Sequence, residues 1–154
     1  MKPLIVLLSV FIISTLFMKL FRGSCQLALS GRIAMSVMLV FTSVAHFVFT
    51  EGMVMMLPGF IPFEKELVYL TGVIELLAGI TLMLPSLRIT TAWLLIVFFI
   101  LVLPANIYAA VNHVDYQNAT YNGEGPNYLW FRIPLQLLFI AWVYISAIKA
   151  NQKS

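Results

Sequence analysis

The sequence predicts an all-α membrane protein: a bundle of four core transmembrane helices plus an additional N-terminal transmembrane helix. Three observations carry this expectation. The chain is 62% hydrophobic and only 10% charged over 154 residues, with a mean hydropathy of +0.99, and so few charges do not cover a soluble domain of this size. Its apolar residues fall into long runs: Pro3 to Met18, Ile33 to Thr50, Leu67 to Leu84, Ile89 to Val111, and Leu129 to Ile148. About 20 helical residues cross the hydrocarbon core of a bilayer, and all but the first run reach that length with modest flanking help. The third observation is the placing of charge between the runs.

The first run is short, but Lys19 can reach the interface with its ammonium group and lengthen the span. Lys2 ahead of an apolar run also fits a secretory signal. However, no small-x-small cleavage site follows, and the chain continues Lys19-Leu20-Phe21-Arg22. Retention of this helix is therefore expected. With five spans, Lys19, Arg22, Arg32, Arg88, Lys149 and Lys153 share one side of the membrane without an acid. The other side holds Lys2 and Lys65 with Glu51, Glu64, Glu66, Asp115 and Glu124. The positive-inside rule then puts the N-terminus outside and the C-terminus in the cytoplasm of a cell (inner or plasma) membrane. The net charge of +3 reflects this loop asymmetry and implies no nucleic-acid partner; the expected partners are the lipid bilayer and a membrane or periplasmic protein.

The expected divisions are an N-terminal helix and basic cytoplasmic linker over 1–30, a four-helix bundle over 31–149, and a cytoplasmic tail over 150–154. The single cysteine, Cys25, falls in the basic linker, which excludes dithiol chemistry by this chain alone. Pro85-Ser86-Leu87 reads as a tight connection between helices. On the outer side, Met53 to Pro62 is too apolar for a solvated linker and is broken by Pro58, Gly59 and Pro62. It is expected to lie over the bundle as an interfacial lid. Val111 to Asn127 is polar and expected to cap the bundle beside it.

The candidate site follows from depth. Counting 1.5 Å per residue from the outer ends of the runs, His46, Asn106 and Arg132 lie about 6 Å inside the membrane, Gln136 about 12 Å and Glu75 roughly 13 Å. An unpaired carboxylate at that depth costs about 2.5–3.5 kcal/mol or more. Glu75 therefore needs a partner, and Arg132 is the expected one, through Gln136 or a water. Thr71, Gly72, Ala78 and Gly79 share the Glu75 side of their helix, and small residues mark close helix packing. Pro104 and Pro134 each free a backbone carbonyl one turn earlier, at Ile100 and Trp130. A ligand pocket of His46, Glu75, Asn106, Arg132 and Gln136, open to the outer side, is the functional expectation. The plainer alternatives are a buried ion pair that fixes helix register and interhelical polar contacts from Asn106 and Gln136. The methionines between Met53 and Met56 read as an interface anchor, and no metal site is expected.

Three ordered motifs carry a family resemblance. Gly72 to Gly79 around Glu75, Pro104-Ala105-Asn106-Ile107-Tyr108, and Arg132-Ile133-Pro134-Leu135-Gln136 with Trp142 resemble small DoxX-like membrane proteins over roughly Gly31 to Ile148. The resemblance includes a histidine ending the first shared helix, here His46. It implies a four-helix bundle, so the run from Pro3 to Met18 is an addition to the pattern. For function it implies a non-catalytic membrane subunit or assembly factor. The enzyme-class alternative is a quinone-linked oxidoreductase subunit, with quinone as the cofactor and Glu75 and His46 handling protons. Relatives associated with disulfide chemistry are a poor guide, because this chain has one cysteine.

Overall fold

The computed structural model describes residues 2–24 and 26–150. Cys25 and Lys153, both expected on the cytoplasmic side, lie outside the described residues, as does all but the first residue of the 150–154 tail. The described chain is helical: α1 (Lys2–Arg22), α2 (Leu27–Val48), a short α3 (Thr50–Val54), α4 (Glu64–Thr81), α5 (Arg88–Val111) and α6 (Leu129–Val143). A 3₁₀ turn at Gly125–Tyr128 leads into α6, and a π turn at Tyr144–Lys149 ends it. The only pairing of extended backbone among the described residues is a bridge between Asp115 and Thr120.

Among the described residues, four helical segments are long and apolar enough to cross a membrane: Lys2–Phe21, Leu27–Val48, Arg88–Val111 and Gly125–Lys149. They are also poorly buried within the protein, as lipid-facing helices must be; Ile13, Val48, Leu101 and Leu137 are each more than 60% exposed. α4 is the exception among the long helices. At 18 residues it is about 27 Å long, but it carries Glu64, Lys65, Glu66 and Glu75.

α4 runs antiparallel along α2. Ser36 meets Gly79, Ser43 meets Gly72, and His46 meets Val68 and Thr71. The buried residues of α4 are Val68, Gly72, Glu75 and Gly79, at alternating steps of four and three, so one narrow stripe faces α2. The opposite face, with Leu70, Val73, Leu77 and Ile80, is exposed. α5 and α6 form a second antiparallel pair, joined by Arg132 to Asn106, Gln136 to Phe99, and ring contacts between Phe99 and Phe139 and between Trp93 and Tyr144.

α1 packs on α2 and α6. Leu7 is fully buried, Phe11 meets the Trp142 ring edge-on at 4.9 Å, and the Ser30 hydroxyl donates to the Met18 sulfur. Trp142 Nε1 donates to the Gly31 carbonyl at 3.0 Å and ties α6 to the start of α2. The apolar core gathers Leu7, Met35, Leu39, Leu95, Phe139 and Val143 among others.

The two ends of the bundle differ. At one end Lys2 Nζ donates to Gln117 and the α3 turn lies against Tyr116, with Phe49 and Tyr116 rings edge-to-face. This is the loop end. Arg32 and Arg88 lie within electrostatic reach of each other at the opposite, arginine end. The segment expected to act as a lid is only half placed as such. Met53 to Leu57 are partly buried, but Phe60 is 84% exposed and shields nothing. Pro58, Gly59 and Pro62 break the helix after Val54 and turn this part of the chain away from the bundle.

Candidate functional site

The five candidate side chains divide between two helix seams. His46 and Glu75 lie in the α2–α4 seam; Asn106, Arg132 and Gln136 lie in the α5–α6 seam. Glu75, Asn106 and Gln136 are buried, while His46 and Arg132 are partly buried.

In the first seam, glycine permits the pairing. A Cβ on Gly72 would lie 2.8 Å from the His46 Cβ, so only a glycine lets the imidazole lie flat against α4. His46 Nδ1 is 3.1 Å from both the Val68 carbonyl and the Thr71 hydroxyl. A carbonyl can only accept, so the Val68 contact is a hydrogen bond in the tautomer that carries its proton on Nδ1. The other nitrogen, Nε2, then faces Glu75 Oε2 at 3.6 Å. That oxygen has no hydrogen-bond partner among the described residues. One proton between Nε2 and Oε2 leaves the pair without net charge, whether it rests on the acid or on the imidazole. Such a pair can reside in hydrocarbon at far less cost than a lone carboxylate.

In the second seam, Arg132 Nη2 donates to Asn106 Oδ1 at 2.9 Å. Gln136 Nε2, one turn deeper on α6, donates to the Phe99 carbonyl at 2.6 Å. Phe99 directly precedes Ile100, the residue whose carbonyl Pro104 is expected to free.

The expected network between Glu75 and Arg132 is not formed. Among the described residues the ion pairs are His46 with Glu75 and Lys65 with Glu51, and Gln136 is committed to Phe99 rather than bridging. The physical reason is the stripe on α4. Glu75 shares it with Gly72 and Gly79, whose close approach commits that face to α2 and not to α6.

A cavity of about 410 Å³ opens at the loop end beside the second seam. Asn106 and Arg132 line it, with Ala109, Ala110, Met56 and Tyr128. His46, Glu75 and Gln136 are not part of its walls. The 112–124 loop supplies the rest of the wall through Asp115, Tyr116, Gln117, Asn122 and Glu124, and Lys2 closes the rim from α1. These residues were missed as site residues in the sequence, where the loop read only as a polar cap. A signal was present: Asp115 followed by Gln117 and Asn118 is the spacing of an Asx turn. The Asp115 carboxylate accepts from the backbone N–H of Gln117 and Asn118 and from the Asn118 amide. The Asn118 side chain first, then the Gln117 backbone, hold the Asp115 carboxyl below its ordinary range. Ala119 takes a positive φ of 50° to close the turn. For Lys2, more than a hundred residues away in sequence, no local signal existed.

Among the described residues no cluster of three or more His, Cys, Asp or Glu side chains gathers to hold a metal. The donors at the cavity are a guanidinium, amides and phenols, which suit an organic ligand with oxygen acceptors.

Fold and cavity together define a class: a small helical membrane protein whose polar groups are concentrated toward one end of the bundle. The chain belongs to the family described as Domain of unknown function (DUF8561), whose profile matches residues 35–147. The match begins one turn past Arg32 in α2 and ends in the π turn, so both seams lie inside it and α1 precedes it. No curated protein and no solved structure matches the chain.

Proposed function

We propose that this protein is a non-catalytic membrane subunit or assembly factor that binds a small ligand in the cavity at its loop end. The observation that carries the reading is the Asn106–Arg132 pair, a preorganised donor group at the wall of a cavity large enough for a small organic molecule. The pocket is then narrower than the sequence suggested. Asn106 and Arg132 contact the ligand, Gln136 holds α5 against α6 beneath them, and His46 with Glu75 lie outside it.

In this reading α4 is a fifth span. Its antiparallel course along α2 and its exposed apolar face support a crossing, and Glu75 is tolerated because His46 neutralises it. The loop end faces outside and the arginine end faces the cytoplasm, by the charge asymmetry of the loops. The DoxX-like resemblance fits this arrangement, since its three motifs supply Glu75, Asn106 and Arg132 with Gln136. A partner protein of the membrane or periplasm would dock on the loop end.

One observation favours a second reading, a quinone-linked oxidoreductase subunit. His46 Nε2 stands 3.6 Å from Glu75 Oε2, and an imidazole beside a carboxyl is a pairing that can take up or deliver a proton next to a quinone headgroup. Native mass spectrometry from mild detergent separates the two. A bound small molecule lost in Arg132→Gln but kept in His46→Leu supports the cavity reading. A bound quinone lost in His46→Leu and kept in Arg132→Gln overturns it. Reporter fusions after Ser24, Thr50, Ser86 and Asn118 test the orientation; an outside signal at Ser86 reverses it.

A further inference from the structure

Among the described residues that α5 and α6 supply to the cavity wall, Asn106, Ala109, Ala110 and Arg132, Arg132 alone is charged. A guanidinium stays protonated under all ordinary conditions. It donates to the neutral Asn106 oxygen, and the described residues place no carboxylate in ion-pair range. The two acids on the cavity wall do not supply one. Asp115 is engaged within its own turn by Asn118 and Gln117, and Glu124 is exposed in the loop. Lys2 adds a second cation at the rim. The cavity wall thus combines a fixed positive charge from α6, apolar side chains at Ala109, Ala110 and Met56, and amides and phenols from Asn106, Gln117, Asn122, Tyr116 and Tyr128.

From this arrangement we infer that the cavity takes a small amphipathic carboxylate, its anionic head on Arg132 and its apolar body against Ala109, Ala110 and Met56. The inference rests on the cavity being a ligand site, as proposed above. The guanidinium fork matches the two oxygens of a carboxylate and can donate to both, which a lysine cannot do. Asn106, by accepting from Nη2, fixes the plane of the fork in advance and lowers the ordering cost of binding. A neutral isostere of the same shape would leave the guanidinium without its counter-charge.

The test uses the full-length protein in detergent micelles with benzoate as the probe and benzamide as its neutral isostere, read by isothermal titration and by thermal shift. Benzoate should bind roughly tenfold or more tightly than benzamide, as expected for hydrogen bonds to a charged partner. Arg132→Gln should abolish that preference, and Arg132→Lys, which keeps the charge without the fork, should retain only part of it. Should Arg132→Gln fail to fold, Arg132→Lys and the benzoate-to-benzamide ratio in the unmodified protein still decide the matter. Equal binding of the two probes, with both lost when Asn122→Trp fills the cavity mouth, overturns the anion assignment and leaves the cavity reading standing. Inorganic phosphate displacing benzoate at equal concentration overturns the carboxylate in favour of a compact tetrahedral anion, whether free or from a lipid head. Binding of neither probe at millimolar concentration, with native spectra free of any bound small molecule, overturns both readings.

Discussion

The two polar seams of this bundle start from similar ingredients and reach different ends. In the α2–α4 seam the neighbours of the polar groups are Gly72, Gly79, Ser43 and Ser36, so the backbones approach and little room remains. Ser43 donates straight to the Gly72 carbonyl at 2.8 Å. A carboxylate caught in such a seam must be neutralised by what is already there, and His46 does so. In the α5–α6 seam the polar side chains are long and the helices carry Pro104 and Pro134. Here the helices are joined by side chains rather than by backbone contact, and toward the loop end they part to leave a cavity. Small residues at a helix seam turn polar groups inward as structure, while long ones on proline-containing helices leave them available.

The largest effect expected is at Gly72. Replacement by leucine drives a side chain into the His46 Cβ and forces α4 off α2. Overpacking alone costs about 1–3 kcal/mol, and displacing α4 adds the loss of the histidine pair, about 3–5 kcal/mol if the pair is ionic. Gly72→Leu should sharply lower the melting temperature in detergent, whereas Ala105→Leu in the second seam, at a partly buried position, should be tolerated far better. Comparable losses from the two would remove the distinction between a tight and an open seam.

Next in size are two double-mutant cycles. His46→Leu and Glu75→Leu each strand a polar partner in the first seam, at a cost of about 3–5 kcal/mol if the pair is ionic. The double variant should recover much of the loss, with a coupling of about 0.5–3 kcal/mol. The parallel cycle with Glu75→Leu and Arg132→Leu should be additive, because the structure commits the two groups to different seams. Coupling in the second cycle and none in the first would restore the network that the sequence suggests.

That reversal shows what could and could not be read from the sequence. The helices and their spacing follow from hydropathy runs and helical periodicity, which depend on local sequence alone. The stripe of Gly72, Glu75 and Gly79 was legible too, as small residues on the acid's own face. Which helix that stripe meets depends on the packing order of the bundle, and depth does not encode it. Glu75 and Arg132 have opposite charge and expected depths only about 7 Å apart, yet α4 gives its packing face to α2. The 112–124 loop was harder still. Its Asx turn is local, but its place over the cavity depends on Gly52, against which the Tyr116 backbone lies, and on Lys2 at the far end of the chain.

Within the second seam, Asn106→Ala removes one acceptor from a charged donor, an interaction of about 1.5–3 kcal/mol. Gln136→Leu removes a neutral contact to the Phe99 carbonyl, about 1 kcal/mol. The stability losses should therefore rank Asn106→Ala above Gln136→Leu in thermal melts. Binding should separate them further, since only Asn106 lines the cavity. An equal loss of ligand affinity in Gln136→Leu would mean that the deeper contact sets the cavity's shape.

The smallest effect concerns the cavity's loop wall and has a defined sign. The Asp115 carboxyl is held below its ordinary range by the Asn118 amide and the Gln117 backbone. Its folded value is thus lower than its unfolded value. The turn's contribution is fully present above the ordinary carboxylate range and is lost as pH falls through the lowered folded value. The group is exposed to solvent, so screening keeps the contribution small. The melting temperature of the unmodified protein should accordingly fall slightly as pH drops below the ordinary carboxylate range, about pH 4. Subtracting the profile of Asp115→Asn, which cannot titrate there, isolates this increment from the titration of the other acids. The same substitution keeps an acceptor for the backbone amides, so the turn itself should persist. Identical profiles would mean that the 112–124 loop is anchored by Lys2, Tyr116 and the α3 contact alone. The second seam would then owe its cavity wall to packing rather than to the turn.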